Sequence, residues 1–206
     1  MSRTTRVAVV YYSSTGTTHE LAQEIATSAE KAGAEVRLRR VGELAPSEAV
    51  AARPAWAEHL AATDHIPIVV PDDLVWADAV VMGSPTRFGN IASQLKQFLD
   101  TLGPQWAQGL LADKVYSGFT TTDTDHGGQE STLLALYTTF HHFGGIVVAP
   151  GYTDPVKFAD GNPYGSSHVS RRGQDPVGDT ALAAARYQGE RVTRVAAALT
   201  SEQAAA

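Results

Sequence analysis

Short apolar runs alternate along this chain with stretches whose apolar residues recur every three or four positions, and that alternation limits the fold more than any other feature. Arg6-Val-Ala-Val-Val-Tyr-Tyr12 is rich in β-branched and aromatic residues and reads as a buried strand. Ser13-Ser-Thr-Gly-Thr-Thr18 interrupts it, and Leu21, Ala22, Ile25, Ala29 and Ala32 then follow at helical spacing, with Gly33 as a C-terminal stop. Ala34 to Val41 reads as a second strand, completing a βαβ unit. Further strands are predicted at Ala79–Met82, Lys114–Phe119 and Ile146–Ala149. Helices are predicted from about Ile91 to Leu102, from about Glu130 to Phe143, and through Leu182 to Leu199, with Ser201 to Ala206 frayed.

Strands alternating with helices predict an α/β architecture, a parallel sheet with helices on both faces. Five strands favour the doubly wound, flavodoxin-like order 2-1-3-4-5. No internal repeat or domain-scale linker is visible, so residues 1–206 read as a single domain. Two excursions stand out. One covers about 42–73, with Pro46, Pro54, Pro67 and Pro71 and a short Ala-rich helix near Ala49 to Ala61; the other is a Gly-rich loop over 151–178. In such a sheet, ligands bind beyond the carboxyl ends of the strands. Three unusual loops, 13–18, 83–90 and 120–128, all follow strands.

Composition excludes several kinds of chemistry. The absence of cysteine rules out disulfides, zinc ribbons, iron–sulfur ligation and a Cys nucleophile. A net charge of −6 argues against general binding to nucleic acid or to anionic membranes, both of which need a basic footprint. No apolar run approaches the roughly 20 residues of a membrane span. The segment Met1-Ser-Arg-Thr-Thr-Arg6 does not read as a signal peptide, so the expectation is a cytoplasmic protein. No metal site is expected, because His141 and His142 are adjacent rather than spaced to share a helix face.

The first loop places Ser13, Ser14, Thr15, Gly16, Thr17 and Thr18 directly before a helix. A helix N-terminus offers unpaired N–H groups and partial positive charge, hydroxyls add donors without charge, and Gly16 permits close backbone approach. Phosphate binding is one reading; a simple Thr17 or Thr18 helix cap is the other. Neither G-x-x-x-x-G-K-[ST] nor G-x-G-x-x-G is present, which argues against a P-loop nucleotidase and a Rossmann dinucleotide domain. A serine hydrolase lacks its G-x-S-x-G turn.

Val10-Tyr-Tyr-Ser-Ser-Thr-Gly-Thr-Thr18 resembles the flavodoxin phosphate loop. Gly83-Ser-Pro-Thr-Arg-Phe-Gly-Asn90 resembles the corresponding loop of the WrbA family, the flavodoxin-like NAD(P)H:quinone oxidoreductases. Phe98-Leu-Asp100, Gly127-Gly-Gln-Glu130, Asn162-Pro-Tyr-Gly165 and Ala185-Arg-Tyr-Gln-Gly-Glu190 are similar to family blocks in the same order.

The resemblance implies noncovalent FMN, with its phosphate on Ser13 to Thr18 and its isoalloxazine against Pro85, Thr86, Arg87, Phe88, Gly89 and Asn90. Arg87 then places positive charge near the flavin, although a surface ion pair is its alternative role. Thr121, Thr122, Asp123 and Thr124 match the family's loop near the ribityl chain, where Asp123 replaces a commonly small residue. His142 matches a family histidine that lies over the flavin from another subunit, where it could hydrogen-bond a quinone oxygen and support proton transfer. On the residues alone, the favoured reading is that both histidines simply face solvent or core. Phe143 stands where the family often has a second histidine, and Thr15 replaces an aromatic found in some members. Trp106 matches an aromatic beside the nicotinamide and quinone pocket, with ordinary packing as its alternative; Trp56 and Trp76 are assigned to packing. The implied function is two-electron transfer from NAD(P)H to quinones by a ping-pong mechanism in a homotetramer, a dimer of dimers. The alternative is a flavodoxin-type electron carrier without that activity.

Overall fold

Every strand of the sheet runs parallel to its neighbours, and each segment that joins one strand to the next carries helix across a face. The computed structural model describes residues 3–203; Met1, Ser2 and residues 204–206 lie outside it. Strand β1 (Arg6–Tyr11) leads into helix α1 (Thr17–Lys31) and strand β2 (Glu35–Arg40). Short helices α2 (Ser47–Ala51), α3 (Pro54–Ala62) and α4 (Pro71–Trp76) precede strand β3 (Ala79–Pro85). Helices α5 (Ser93–Asp100) and α6 (Gly103–Ala107), strand β4 (Val115–Thr122) and helix α7 (Gln129–His142) follow. The chain closes with β5 (Ile146–Val147), α8 (Pro155–Asp160), β6 (Ser166–Val169) and the long α9 (Asp179–Gln203).

The sheet order is β2-β1-β3-β4-β5, as expected from the alternation of elements. Alternate residues of each strand point to opposite faces, which divides the core in two. Ala8, Val10, Val80 and Met82 pack with Leu95, Phe98, Leu133 and Phe140 of α5 and α7. Val7, Val9, Tyr11 and Val81 pack with Leu21, Ile25, Ala185 and Val192 of α1 and α9. Burial on both faces explains why the strands read as continuous apolar runs.

Several elements differ from the sequence expectations. The Ala-rich helix is two helices, because Pro54 starts a new one after Arg53 turns to extended geometry. Helix α4 was not expected. Its carboxylate Asp73 caps it by accepting from the Val70 N–H at 3.1 Å, and also pairs with Arg37 and Arg39 of β2 at 3.1 Å each. The final helix continues through Ser201–Gln203, where fraying was expected, while the rest of that tail lies outside the described residues.

The largest correction concerns the edge of the sheet. The fifth position is filled by two strands, with β5 pairing Val115 and Tyr116 and β6 pairing Phe119 through Thr122. Residues 151–178 are therefore not simply loop. Gln188, fully buried on α9, spans the gap between the two: its side-chain amide donates to Ser117 Oγ (2.8 Å) and the Gly118 carbonyl (2.7 Å), and its oxygen accepts from the Ser166 N–H (2.8 Å). One side chain thus satisfies backbone groups that the interrupted ladder would leave unpaired. Between the two strands, α8 docks through buried Lys157, which pairs with Asp160 and donates to the Gly165 carbonyl at 3.1 Å.

Candidate functional site

The loops after β1, β3 and β4 converge at the carboxyl edge of the sheet around a cavity of about 400 Å³. Ser13, Ser14, Thr15, Thr17 and Thr18 form one wall. Gly16 is the N-cap of α1 with φ of 107°, and no side chain caps the helix. The simple capping role for Thr17 or Thr18 is thereby set aside. Thr18 instead reaches across to Thr121, with hydroxyl oxygens 2.7 Å apart, while Ser13 Oγ accepts from the Gly16 N–H at 3.1 Å. A 15-residue helix thus leaves its first-turn N–H groups and positive dipole end without a side-chain cap beside a ring of hydroxyls.

The second wall is a tight hairpin. Arg87 N–H donates to the Asn90 carbonyl at 2.7 Å, and Asn90 N–H returns to the Arg87 carbonyl at 3.0 Å. Phe88 and Gly89, at φ of 55° and 76°, make its two central positions, the geometry of a type I′ turn. The turn leaves the Phe88 side chain fully exposed. Thr86 ties this hairpin to the third loop, because its N–H donates to the Thr121 carbonyl (2.8 Å) and its hydroxyl donates to the Gly127 carbonyl (3.2 Å). Pro85 ends β3 just before it. Arg87 forms no ion pair among the described residues, which removes the surface-pair alternative; its guanidinium donates to the Thr86 carbonyl at 2.9 Å.

In the third loop, Thr121, Thr122, Asp123 and Thr124 line the cavity. Gly128 packs against the hairpin so closely that a Cβ there would stand 2.7 Å from Gly89 Cα, at a φ of 94° that side chains rarely adopt. Asp123 is exposed and accepts from the Ser170 hydroxyl at 2.8 Å. Ser170, just past β6, also lines the cavity. Sequence reasoning missed it, because only the β4–β6 pairing brings that distant segment to the site. These donors fit a flavin mononucleotide. The hydroxyls and helix end suit a phosphate without a basic surface, and the two glycine-tight loops present main chain where a planar ring system needs hydrogen-bonding edges.

His142 and Trp106 are not brought to this cavity within one chain. Helix α7 starts beside the cavity and carries His142 to its other end, roughly 20 Å away at 1.5 Å per residue. There His142 is exposed, and its carbonyl accepts from the half-exposed Trp106 indole at 2.7 Å. Phe143 is buried in the core.

A second, larger groove of about 750 Å³ adjoins the cavity and shares Ser14, Thr15 and Arg87 with it. The 42–73 excursion closes over it through Glu43, which accepts from Tyr12 Oη (2.7 Å), Trp56 Nε1 (3.0 Å), Gln94 Nε2 (2.7 Å) and the N–H groups of Leu44 and Ala45. Burial alone would raise the Glu43 pKa, but the hydrogen bonds from Ala45, Gln94, Tyr12 and Leu44 outweigh it and hold the carboxyl below the ordinary range. Trp56, assigned to packing, is therefore a wall of this groove; Trp76 does pack, with Arg37 lying 4.1 Å over its ring.

Behind the first loop, His19 Nδ1 lies 2.7 Å from Tyr11 Oη, and its ring is 5.4 Å from that of His59. Burial, then the neighbouring His59 and His65, push the His19 pKa down to about 4, and burial with Arg40 lowers that of His59. The unfolded chain takes up these protons near pH 6.5 and the folded chain does not, so their stabilising contribution is complete above about pH 6.5 and is lost as pH falls toward 4. The melting temperature followed by circular dichroism should fall over that window, and less steeply in a His19→Gln/His59→Gln variant. Equal slopes in the two proteins would refute this.

Residues 5–154 match the family described as NADPH-dependent FMN reductase. The chain is 44% identical over 200 residues to the NAD(P)H dehydrogenase (quinone) of Deinococcus radiodurans, covering 97% of this chain and 99% of that one. It is also 44% identical over 198 residues to the protein of the same name from Geotalea daltonii, covering 93% and 96% of the two chains. Among solved structures it resembles the flavodoxin, WrbA-like protein from Agrobacterium tumefaciens, with a TM-score of 0.67 and 26% identity over 94% of this chain and 98% of that one. The flavodoxin-like sheet, the three loops at its carboxyl edge and the near full-length likeness agree with the resemblance to the WrbA proteins, and the chain belongs to the NADPH-dependent FMN reductase family.

Proposed function

We propose that this protein is an FMN-dependent NAD(P)H:quinone oxidoreductase, with Ser13 to Thr18, Pro85 to Asn90 and Thr121 to Thr124 holding the cofactor. One observation carries the reading: three loops, including the uncapped start of α1, converge on one cavity in a chain 44% identical to a protein named for this activity. FMN, when bound, supplies two-electron chemistry by accepting electrons from NAD(P)H and passing them to a quinone. The chain's own groups bind and orient. The hydroxyls and first-turn N–H groups take the phosphate, the 86–90 hairpin and 121–124 strand end frame the ring, and Arg87 supplies positive charge nearby.

In this proposal NAD(P)H and quinone use one pocket in turn, giving ping-pong kinetics. His142 and Trp106 serve the cavity of another copy, where the imidazole holds or moves a proton at the acceptor oxygen. Supporting this is their exposed position at the far end of α7, out of reach of their own chain's cavity. A homotetramer, arranged as a dimer of dimers, accommodates such sharing, and the 42–73 and 151–178 segments form the margins of a single FMN-binding domain. A cytoplasmic setting belongs to the same proposal; among the described residues no helix is long and apolar enough to cross a membrane.

The test is to load the protein with FMN and follow NADPH and NADH oxidation with and without benzoquinone. Acceptor-dependent oxidation with parallel double-reciprocal lines is expected. Intersecting lines would overturn the ping-pong order, and no acceptor-dependent oxidation would leave the electron carrier.

A further inference from the structure

We propose that His19 and His59 are positioning residues behind the phosphate loop, and that they take up protons when the FMN phosphate settles on Ser13 to Thr18, so that cofactor affinity depends on pH. This rests on the FMN-binding reading and extends it to two residues outside the three loops. Neither imidazole lines the cavity, so each acts through the loop and not by touching the cofactor.

His19 sits in the first turn of α1, and its Nδ1 lies 2.7 Å from Tyr11 Oη of β1. His59 comes from α3, in the 42–73 excursion, and its ring is 5.4 Å from that of His19. Its Nδ1 is 3.5 Å from the point where a Cβ on Gly16 would stand. An imidazole therefore lies directly against the N-cap of the helix whose uncapped start borders the cavity. The Tyr11 hydroxyl can donate to a neutral His19 and accept from a charged one, so protonation changes the charge at this bond without breaking it.

The groups that face this pair are cationic or neutral: Tyr11 of β1, Arg40 of β2 and His65 beyond α3. Asp64, which follows α3, is exposed and already paired with Arg40 at 3.1 Å. Among the described residues no carboxylate pairs with either imidazole. Burial, and after it the neighbouring positive groups, therefore keep both rings neutral below the ordinary histidine range, His19 down to about 4. A phosphate dianion on the loop is the counter-charge they lack, and it favours the imidazolium. Binding then draws in protons between about pH 4 and 6.5 and none at these residues above that window, so affinity gains as pH falls through it. The second ionisation of the phosphate itself, near pH 6, works in the opposite direction at any site, so the effect is read as a difference between two proteins.

Calorimetric titration of the FMN-free protein with FMN, in two buffers of unlike ionisation enthalpy, counts the protons taken up. At pH 5.5 the protein should take up about 0.3–0.5 proton more than a His19→Gln/His59→Gln variant, with no difference at pH 7.5. The ratio of the variant's dissociation constant to that of the unaltered protein should grow about threefold between those two pH values. Riboflavin, which lacks the phosphate, should give equal counts in both proteins. Proton resonances of the two imidazoles, followed by NMR in the unaltered protein, need no variant: their titration midpoints should rise when FMN is added. Equal proton counts at pH 5.5, or midpoints that FMN leaves unmoved, overturn the proposal while the FMN reading stands. No binding of FMN at either pH defeats both.

Discussion

Asp160→Ala should lower the free energy of unfolding by about 3–5 kcal/mol, the cost of leaving a buried ammonium without its partner. Lys157 is fully buried, and Asp160 is its ion-pair partner at the end of α8. The other acceptor of the ammonium, the Gly165 carbonyl, carries no compensating charge. Burial lowers the Lys157 pKa and raises that of Asp160, and each opposes the other's shift through their attraction. Urea denaturation of the FMN-free protein measures the loss. The double variant Lys157→Met/Asp160→Ala should regain most of it, because no uncompensated charge is left. A single-variant loss below about 1 kcal/mol would show that water or another group reaches the ammonium.

Gly128→Ala should weaken FMN binding with little effect on the sheet. A Cβ there meets Gly89 Cα at 2.7 Å and requires a φ of 94°. Strain of about 1–3 kcal/mol at such a residue corresponds to roughly 5- to 150-fold in affinity if loops 86–90 and 121–128 separate to relieve it. Quenching of FMN fluorescence on titration reads the affinity, and far-ultraviolet circular dichroism checks the sheet. An unchanged dissociation constant would mean that the contact between these loops does not shape the cavity.

The alternation of apolar runs and helical stretches was enough to place the sheet, because both faces of a parallel sheet are buried and the strands must be apolar throughout. The edge was harder. β6 is Ser166–Val169, a polar tetrapeptide whose strand character comes from pairing with Phe119 to Thr122 and from the Gln188 amide, neither of which is local. Strand propensity of so short a segment carries little weight against that context. The residues of the proposed cofactor cavity were legible for a similar reason of locality: hydroxyls before a helix and the Pro85 to Asn90 block are continuous in the chain, so their pattern shows in order. Ser170 was not, since it arrives from the far end of the split strand.

By itself, then, the sequence determined the layered α/β order, the three unusual loops that follow strands, and the absence of thiol chemistry, all set by short-range pattern or by composition. Only the tertiary structure decided which loops meet, that α1 begins without a side-chain cap, and that His142 and Trp106 lie at the opposite end of α7 from their own cavity. It also turned Trp56 and Arg53 from unremarkable residues of an irregular excursion into the wall of a groove, with Glu43 behind it as the acceptor that holds Trp56. The reason is physical: a loop's chemistry can be written in consecutive residues, but a pocket is made by groups distant in sequence whose separation is set by packing.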